Sequence, residues 1–298
     1  MAYELIRANC LEWLPSCPAD SFHACVTDPP YGLIEYQPDQ LTKRRNGRGG
    51  VWRIPPSFDG SHRQPLPRFT VLTEEGRRKL EAFFLEWGKR LWPALVPGAH
   101  VFVASNPLLS HWVSASLSEA GFEKRGDIIR LVRTFRGGDR PKGAEDEFQE
   151  VSAMPRSAFE PWGLFRKPFE GTLAENLRKW GTGGLRRPNP ETPFTDVIAS
   201  GRTPQEERLV APHPSLKPQK FLRQLVWASL PLGQGRIIDP FAGSGSTLAA
   251  AEALGYESVG IEADQEYYQL ALQAVPKLAR LAGQFDFLTL ESSESEII

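Results

Sequence analysis

The sequence predicts an α/β protein with a mostly parallel, doubly wound sheet. A short β-rich run, "HACVTD" (His23 to Asp28), is followed by a helical segment at residues 78–92 and by a second buried strand, Val101 to Ala104, after a turn at Pro97-Gly98. Strand, crossover helix and strand in this order is the pattern of a parallel sheet. The helical spacing places five apolar residues on one face of this helix: Leu80, Phe83, Phe84, Trp87 and Leu91.

The C-terminal part of the chain shows the same alternation. "KFLRQLVWASL" (220–230) has the spacing of an amphipathic helix, and "GRIIDPF" (235–241) contains a buried strand. A glycine-rich turn then opens an alanine-rich helix that ends at Gly255, and the strand in "ESVGIEAD" and the helix in "QEYYQLALQAVPKLARL" follow. We therefore expect residues 1–133 and 213–283 to form two halves of one domain.

Two long segments without periodicity interrupt this pattern. Residues 35–79 are rich in Pro, Gly and Arg, and residues 134–212 interleave basic with aromatic side chains. A long irregular loop inside a compact domain is usually functional or disordered. Aromatic-basic interleaving suits base stacking beside phosphate contacts, although the aromatic side chains could equally form a small core of their own. Residues 284–298 form an acidic tail that we expect to fray.

Charge is distributed unevenly along the chain. The formal net charge is −1, yet residues 35–79 hold ten Lys and Arg against five Asp and Glu, and residues 124–220 hold eighteen against thirteen. This asymmetry is typical of a polyanion-binding face on an otherwise acidic body. Charge alone is also compatible with basic loops that are simply solvated.

The composition disfavours several classes of protein. No apolar run reaches the roughly 18 residues that a membrane span needs, and the N-terminus lacks the layout of a signal peptide, so we expect a cytoplasmic protein without a membrane partner. Cys10, Cys17 and Cys25 show neither CxxC spacing nor the number that a disulfide framework requires. Without an HExxH motif or a Cys/His cluster, no metal site is predicted.

The glycine-rich turn "DPFAGSGST" (Asp239 to Thr247) lies where a nucleotide-type cofactor loop belongs, between a strand and a helix. Gly243 and Gly245 allow positive φ and close approach of a ligand to the backbone. No lysine precedes the Ser-Thr pair, as a Walker loop would require, and a dinucleotide fingerprint would need glycine at Leu248. Glu262 ends the next strand, where it is either a ribose ligand or an ordinary strand-end carboxylate. A nucleoside cofactor is the favoured interpretation.

The stretch "DPPY" (Asp28 to Tyr31) ends the first strand, and its two prolines hold the backbone extended. Asp239 ends another strand, so if these two strands are neighbours their loops face one crevice at the carboxyl ends of the strands. Together with "DPFAGSGST" and "HPSLKP" (His213 to Pro218), it resembles the catalytic and cofactor motifs of the amino-directed DNA methyltransferases that use S-adenosylmethionine. The catalytic motif comes first, then a variable region, then the cofactor motif, which is similar to the β group of that family. Matched segments cover about half of the chain.

The resemblance implies a Rossmann-like S-adenosylmethionine-dependent methyltransferase fold with residues 134–212 as an inserted, irregular target-recognition region. It implies flipping of the target base, because the reacting nitrogen cannot be reached inside a duplex. Relatives with Asp at the first motif position usually methylate adenine N6, and those with Ser usually methylate cytosine N4, so Asp28 favours adenine. Relatives that act on RNA or on protein glutamine usually carry Asn there.

The resemblance also implies a role for each motif residue. Asp28 and the carbonyl of Pro29 would accept the amino hydrogens of the base, Pro30 would keep these acceptors rigid, and Tyr31 would stack on the flipped base. The implied cofactor contacts are Asn9, Asp28, His213, Pro214, Ser215, Lys217, Asp239, Phe241, Gly243, Ser244, Gly245, Ser246, Thr247, Glu262 and Ala263. The candidate DNA contacts come from the basic side chains of the two irregular segments and not from the motifs: Lys43, Arg44, Arg45, Arg48, Arg53, Arg136, Arg140, Arg166, Lys167, Arg186 and Arg187.

The family pattern is more specific for three of these cofactor contacts. Ser215 and Lys217 are expected close to the carboxylate of the cofactor. Asn9 stands where relatives usually carry an acidic residue near the adenine of the cofactor.

Two functional hypotheses of different classes follow. The first is a site-specific DNA adenine-N6 methyltransferase of a bacterial or phage restriction-modification system, with cytosine-N4 methylation as the alternative. The second is a non-catalytic, cofactor-binding DNA-recognition protein with the same fold. Five intact residues argue against it: Asp28, Tyr31, Gly243, Gly245 and Glu262. The expected partners are double-stranded DNA and S-adenosylmethionine. Since relatives are often dimers, a homodimer is compatible with the resemblance.

Overall fold

The computed structural model describes residues 2–30, 74–132, 138–213 and 215–281. The strands in these ranges are β1 (Tyr3–Arg7), β2 (Phe22–Thr27), β3 (Leu95–Ala104), β4 (Glu123–Leu131), β5 (Phe159–Arg166), β6 (Val197–Ala199), β7 (Arg236–Asp239) and β8 (Glu257–Glu262). The α-helices are α1 (Cys10–Trp13), α2 (Glu74–Leu91), α3 (Ser110–Glu119), α4 (Leu173–Trp180), α5 (Gln205–Val210), α6 (Gln219–Ser229), α7 (Ser246–Ala253) and α8 (Gln265–Arg280).

All eight strands belong to one sheet, in the order β1-β8-β7-β2-β3-β5-β4-β6. Every neighbouring pair is parallel except the two pairs that involve β5, which runs antiparallel to β3 and β4. The N-terminal strand β1 pairs with β8, and β2 pairs with β7. The two ends of the chain therefore interleave in a single sheet, which confirms the predicted mostly parallel architecture.

Helices cover both faces of the sheet. On one face α1, α2 and α3 pack on the strands, and on the other face α6, α7 and α8 do so. The predicted apolar face of α2 is confirmed, since Leu80, Phe84, Trp87 and Leu91 are buried and Phe83 packs against them. Full burial of each such side chain contributes about 1.5–3 kcal/mol. No helix in the described ranges has the length and apolarity to cross a membrane.

The predicted turn at Pro97-Gly98 is wrong, because β3 runs through it. The register between β2 and β3 jumps from Phe22 opposite Leu95 to Ala24 opposite His100, so the extra residues form a bulge inside the strand. Gly98 adopts a φ of +80°, which a bulge tolerates at glycine. A local Pro-Gly signal therefore marks an irregularity here and not the end of the strand.

The prediction that residues 134–212 are irregular is also wrong for their central part. Strand β5 lies inside the sheet, and its Trp162 and Phe165 are fully buried in the main core. Sequence patterns hid this strand because a strand buried on both faces shows no alternation, and Pro161 and Gly163 interrupt it. Trp162 and Phe165 are therefore core residues, whereas Phe159, at the start of the strand, is 37% exposed.

The antiparallel direction of β5 decides where the flanking segments lie. We call the carboxyl end of the sheet the end at which the parallel strands finish, and the amino end the opposite one. The start of β5 pairs Phe159 with Leu131, so residues 138–158 connect to the sheet at the carboxyl end. Its last residue, Arg166, pairs with Glu123 at the start of β4, so the chain continues from residue 167 at the amino end.

Candidate active site

The two sequence motifs that follow β2 and β7 lie side by side at the carboxyl end of the sheet. Cys25 pairs with Ile238 in the parallel register of these strands. Closer to the carboxyl end, the Thr27 hydroxyl donates a buried hydrogen bond of 2.6 Å to Oδ1 of Asp239. The predicted juxtaposition of the Asp28 motif and the glycine loop is therefore confirmed. Ligands of open α/β sheets bind at this end.

Asp239 fastens the glycine loop to the sheet. Its Oδ1 also accepts from the backbone N–H of Phe241 at 3.1 Å. Burial raises the pKa of Asp239 to about 6, against the opposing effect of hydrogen bonds from Thr27, Thr247 and Phe241. The Asp239 side chain thus holds the first residues of the glycine loop against the end of β2.

The glycine loop depends on two left-handed residues. Gly243 has a φ of +52° and donates its N–H to Oε2 of Glu262 at 2.7 Å. Gly245 has a φ of +81° and is the N-cap of α7, and a Cβ there would lie 2.3 Å from Cγ2 of Val275 on α8. Only glycine fits a position with both constraints. The sequence prediction of close backbone approach at this loop therefore has a packing cause as well.

Glu262 lies beside the glycine loop, as its position at the end of β8 predicts. Its Oε1 accepts from the N–H of Asp264 at 2.8 Å, while Oε2 accepts from Gly243. Burial raises its pKa, although these backbone hydrogen bonds act in the opposite direction. Asn9 reaches the same end of the sheet, because the preceding residue, Ala8, donates its N–H to the Glu262 carbonyl at 3.1 Å. The Asn9 side chain caps α1.

The segment that begins at His213 covers the glycine loop. The His213 ring packs edge to face on Tyr267 with ring centroids 4.4 Å apart, and two of its atoms lie 3.4 Å from where a Cβ of Gly243 would stand. Its Nδ1 accepts from the N–H of Ser215 at 3.2 Å. Burial, with the charge of Lys217, lowers the pKa of His213 to about 4, so the ring is neutral at pH 7. Tyr267 was missed by sequence reasoning because no motif contains it.

Lys217 has two carboxylates of the protein as its partners. Its buried ammonium donates to Oδ2 of Asp28 and lies 3.3 Å from Oε1 of Glu160. Burial alone would lower the pKa of Lys217, but the two carboxylates outweigh it and the pKa is raised. The structure therefore gives Lys217 two protein carboxylates as partners, whereas the resemblance implies the cofactor carboxylate.

Glu160, a second residue that sequence reasoning missed, continues this chain of charges. Its Oε2 accepts from Nη1 of Arg130 at 2.9 Å and from Nε1 of Trp162 at 3.3 Å. Although burial acts in the opposite direction, Lys217 and Arg130 lower its pKa. We call Asp28, Lys217, Glu160 and Arg130 the buried charge chain, in which negative and positive groups alternate. A carboxylate at the second position of an undetected strand gave no sequence signal.

The remaining predicted cofactor residues surround the same loop. Phe241 is half-buried and packs on Phe83 and Trp87 of α2, with ring centroids 6.0 and 5.5 Å away. Ser246 begins α7, and its carbonyl accepts from the side chain of Gln219 at 2.9 Å. Ser244 and Thr247 are buried, whereas Ser215 and Ala263 are exposed. The structure thus brings every predicted cofactor residue that it describes to the carboxyl end.

Four predicted DNA contacts lie at the amino end of the sheet, opposite the glycine loop. Arg166 is buried and donates to Glu123 at 2.6 Å and to the Gly183 carbonyl at 3.0 Å. The Lys167 ammonium donates to the Leu95 carbonyl at 2.6 Å. These side chains join the amino ends of strands and loops within the protein.

Arg186 and Arg187 complete this amino-end group. Arg186 stacks over the Trp227 ring at 3.5 Å and donates to the Tyr256 hydroxyl at 2.5 Å. The Arg187 guanidinium donates to the Pro190 carbonyl at 3.0 Å. A base that enters the carboxyl end would be remote from all four residues.

At the carboxyl end, Arg140 is the predicted DNA contact within residues 138–158. Its Nε donates to the Gln149 carbonyl at 2.9 Å. This segment carries five Asp and Glu against three Lys and Arg, so it does not supply the predicted positive face. The other predicted site residues fall outside the described ranges: Tyr31, Lys43, Arg44, Arg45, Arg48, Arg53, Arg136 and Pro214.

Comparison with known proteins places this geometry among DNA-modifying enzymes. The family N6_N4_Mtase, described as DNA methylase, matches residues 22–273. The type II methyltransferase M.HindIII of Haemophilus influenzae is 26% identical over 280 residues, which cover 85% of this chain and 89% of the relative. M2.DpnII of Streptococcus pneumoniae is 34% identical over 87 residues, covering 29% of this chain and 32% of the relative.

Solved structures share the fold at low sequence identity. M1.HpyAVI in complex with SAM has a TM-score of 0.57 at 17% identity and covers 94% of this chain and 100% of its own. TTHA0409 of Thermus thermophilus, complexed with S-adenosyl-L-methionine, has a TM-score of 0.58 at 19% identity, covering 94% and 96%. The cytosine-N4-specific PvuII DNA methyltransferase has a TM-score of 0.58 at 13% identity, covering 98% and 91%.

Proposed function

Because this chain belongs to the N6/N4 DNA methylase family, we propose that it transfers a methyl group from S-adenosylmethionine to the N6 amino group of adenine in a specific duplex DNA sequence. The observation that carries the proposal is the contact between the two motifs at the carboxyl end of the sheet. The Thr27–Asp239 hydrogen bond fixes the start of the glycine loop next to Asp28. A donor held at that loop and a base held at Asp28 would therefore meet.

The residues around the glycine loop fit a nucleoside cofactor. Gly243 has no side chain to obstruct a ligand, and Glu262 holds a carboxylate beside it at the end of β8. His213 and Tyr267 add an aromatic wall over the loop. The fold is shared with two proteins solved with S-adenosylmethionine. When bound, S-adenosylmethionine supplies an electrophilic methyl group on a positively charged sulfur.

Asp28 and Pro29 would prepare the amino group of the base. The lone pair of an exocyclic amino nitrogen is delocalised into the ring, which makes the nitrogen a poor nucleophile. The Asp28 carboxylate and the Pro29 carbonyl can accept the two amino hydrogens and stabilise the positive charge that develops on nitrogen as it gains the methyl group. After transfer, the nitrogen loses one proton to Asp28 or to water.

The rigidity of this segment serves the same purpose. Pro29 is buried, and the consecutive prolines at 29 and 30 fix two φ angles, so the acceptors keep one geometry. Tyr31 follows directly, and we assign it the aromatic face on which the flipped base stacks. Duplex DNA would approach the carboxyl end, where β2 finishes. The sequence after β2, residues 31–73, has an excess of basic side chains that suits a polyanion.

Cytosine-N4 methylation is the second candidate, favoured by the fold shared with the PvuII cytosine-N4 enzyme. Both reactions methylate an exocyclic amino group and would use the same acceptors at Asp28 and Pro29. Asp28 favours adenine by its resemblance to the motif of adenine enzymes. The size of the base pocket would then decide between a purine and a pyrimidine.

Modified-base mapping tests the proposal. Purified protein is incubated with S-adenosylmethionine and unmethylated bacterial genomic DNA, and modified bases are located by single-molecule sequencing, with Asp28→Ala as the inactive control. We expect N6-methyladenine at one recurring motif with the wild type alone. N4-methylcytosine would replace the adenine assignment with the second candidate. Cofactor binding without any modification of DNA would overturn the proposed reaction.

A further inference from the structure

We propose that Lys217 and Glu160 are positioning residues for Asp28, with the Lys217 ammonium holding the Asp28 carboxylate and Glu160 holding Lys217. The inference rests on the proposed function, because it assigns Asp28 to the amino group of the base. It departs from the family expectation that Lys217 binds the cofactor carboxylate. Glu160 belongs to no recognised motif of this chain.

The burial of the three side chains makes their pairing specific. The side chains of Lys217, Glu160 and Asp28 are 8%, 16% and 18% exposed. A charge at this depth is stable only when an opposite charge or several hydrogen bonds accompany it. Lys217 touches both carboxylates, so the loss of its ammonium would leave two buried negative groups near each other. Asp28 would then turn away or take up a proton.

The far end of the buried charge chain is anchored to the protein scaffold. Arg130, itself buried, donates to Glu160 at 2.9 Å, to the Ser200 hydroxyl at 3.0 Å and to the Gly201 carbonyl at 3.2 Å. The Thr203 hydroxyl donates to the Leu216 carbonyl at 2.7 Å, which fixes the backbone next to Lys217. Charge and backbone position are thus both set before a substrate arrives. Preorganisation of this kind is the main source of electrostatic catalysis.

The charges around Asp28 nearly balance, which suits the proposed chemistry. An unpaired Lys217 would repel the positive charge that develops on the amino nitrogen. Glu160 offsets that repulsion, and Arg130 in turn offsets the charge of Glu160. Two further titratable groups face the chain: Asp239 acts on Asp28 from β7, and His213 near Lys217 is neutral. Lys217 can therefore orient Asp28 without opposing the reaction.

Methyl transfer in a single turnover tests the positioning role. Lys217→Met, Lys217→Arg and Glu160→Gln are compared with Lys220→Met, a matched control, since Lys220 is exposed three residues away. Transfer of a labelled methyl group to genomic DNA is counted whichever base receives it. We expect Lys217→Met to slow the transfer step about 100-fold or more at saturating cofactor. Glu160→Gln should have a smaller effect in the same direction, and Lys217→Arg should restore part of the rate.

Cofactor affinity separates this role from the family expectation. For Lys217→Met we expect the Kd for S-adenosylmethionine to change by less than about threefold, because the lost interaction acts on Asp28. When the pH is lowered, the rate of Lys217→Met should begin to fall at a higher pH than the rate of the wild type, because the cation that favours the ionised Asp28 carboxylate is gone. A Kd weakened about tenfold or more with a normal rate at saturating cofactor would show that Lys217 is a cofactor ligand and overturn the proposal.

A stability cycle keeps the inference testable if the protein transfers nothing to DNA. The free energies of unfolding of Lys217→Met, Asp28→Asn and the double variant are measured by denaturant titration. Coupled side chains give non-additive effects, so the double variant should lose less stability than the two single losses combined. Inactive wild type with coupled side chains would refute the proposed reaction but retain the contact. Additive losses would overturn the positioning role itself.

Discussion

The carboxyl end and the amino end of the sheet both carry buried charged side chains, but those charges have different partners. At the carboxyl end, Lys217 lies between Asp28 and Glu160, so ionised groups stand beside the glycine loop. At the amino end, Arg166 and Lys167 bind backbone carbonyls and a single acidic partner each. The carboxyl end therefore carries the charges that the proposed reaction would use, whereas the charged side chains of the amino end join segments of the scaffold.

This difference shows that residue type alone does not identify a DNA-binding side chain. Arg166, Lys167 and Arg186 lie among aromatic residues in the sequence, which is the pattern that suggests base stacking beside phosphate contacts. In the structure, Arg186 stacks on Trp227 within the protein. The direction of β5 places these residues at the amino end, and strand direction is a property of the whole sheet.

The largest expected difference between the two ends concerns the reaction rate. Asp28→Asn replaces the proposed acceptor with an amide of nearly the same shape, and we expect methyl transfer to fall by about 10³-fold. Arg187→Met, at the amino end, should leave the rate unchanged. Single-turnover transfer to genomic DNA measures both. A large loss of transfer with Arg187→Met would break the distinction between the two ends.

A second pair of variants compares two glycines with positive φ, one at each end. Gly245→Ala at the carboxyl end places a Cβ 2.3 Å from Val275, whereas Gly255→Ala, with a φ of +74°, meets no atom within 4 Å. We expect a loss of about 3 kcal/mol of unfolding free energy for Gly245→Ala. Gly255→Ala should lose about 1 kcal/mol, from backbone strain alone.

Denaturant unfolding measures both glycine variants. Equal losses would mean that α8 moves away from the loop to admit the methyl group. The packing account of Gly245 would then be wrong.

A third prediction separates structural arginines from DNA contacts. Arg166→Met removes the partner of Glu123, whose side chain is 40% exposed, and we expect a loss of about 1–3 kcal/mol of stability. The affinity for duplex DNA and its salt dependence should not change. Binding titrations at several salt concentrations check this. If the DNA-binding constant of the variant depended less steeply on salt concentration than that of the wild type, Arg166 would be a DNA contact.

The fourth prediction concerns the pH dependence that Asp239 contributes to stability. Burial raises the pKa of Asp239 from 3.8 to about 6. The native state therefore holds this proton more tightly than the unfolded chain, so the group costs stability as the pH rises through this window and the cost is complete above about pH 6. Asp239→Asn removes the titration while an amide oxygen can still accept from Thr27.

Unfolding free energies of the wild type and Asp239→Asn are compared from pH 3.8 to 6, the window set by the two pKa values. The stability of the variant relative to the wild type should increase as the pH rises through that window. A difference that does not change with pH would show that Asp239 titrates normally.

Local sequence patterns predicted much of the fold and of the site. Alternating strand and helix signals located β2, α2 and β7, and the motif after β2 was correctly expected beside the glycine loop. These features were accessible because each depends on a short stretch of chain and on the rule that ligands bind at the carboxyl end of parallel strands. Glu262 was placed correctly for the same reason.

The parts that sequence reasoning missed depend on contacts between distant segments. Strand β5 carries no alternation because it is buried on both faces, so neither the strand nor the position of Glu160 was predicted. Lys217 was recognised in its motif, but its partner Asp28 lies 189 positions away in the sequence. Charge pairing across such distances follows from the folded sheet and has no periodic signature.

Hydrogen-deuterium exchange with S-adenosylmethionine tests most directly the claim that function resides at the carboxyl end. Peptides that contain residues 241–247 and 262–267 should gain protection when the cofactor binds, because they form the glycine loop and the Glu262 turn. Peptides that contain residues 167–187, at the amino end, should exchange at unchanged rates. Protection of residues 167–187 without protection of the glycine loop would contradict the account.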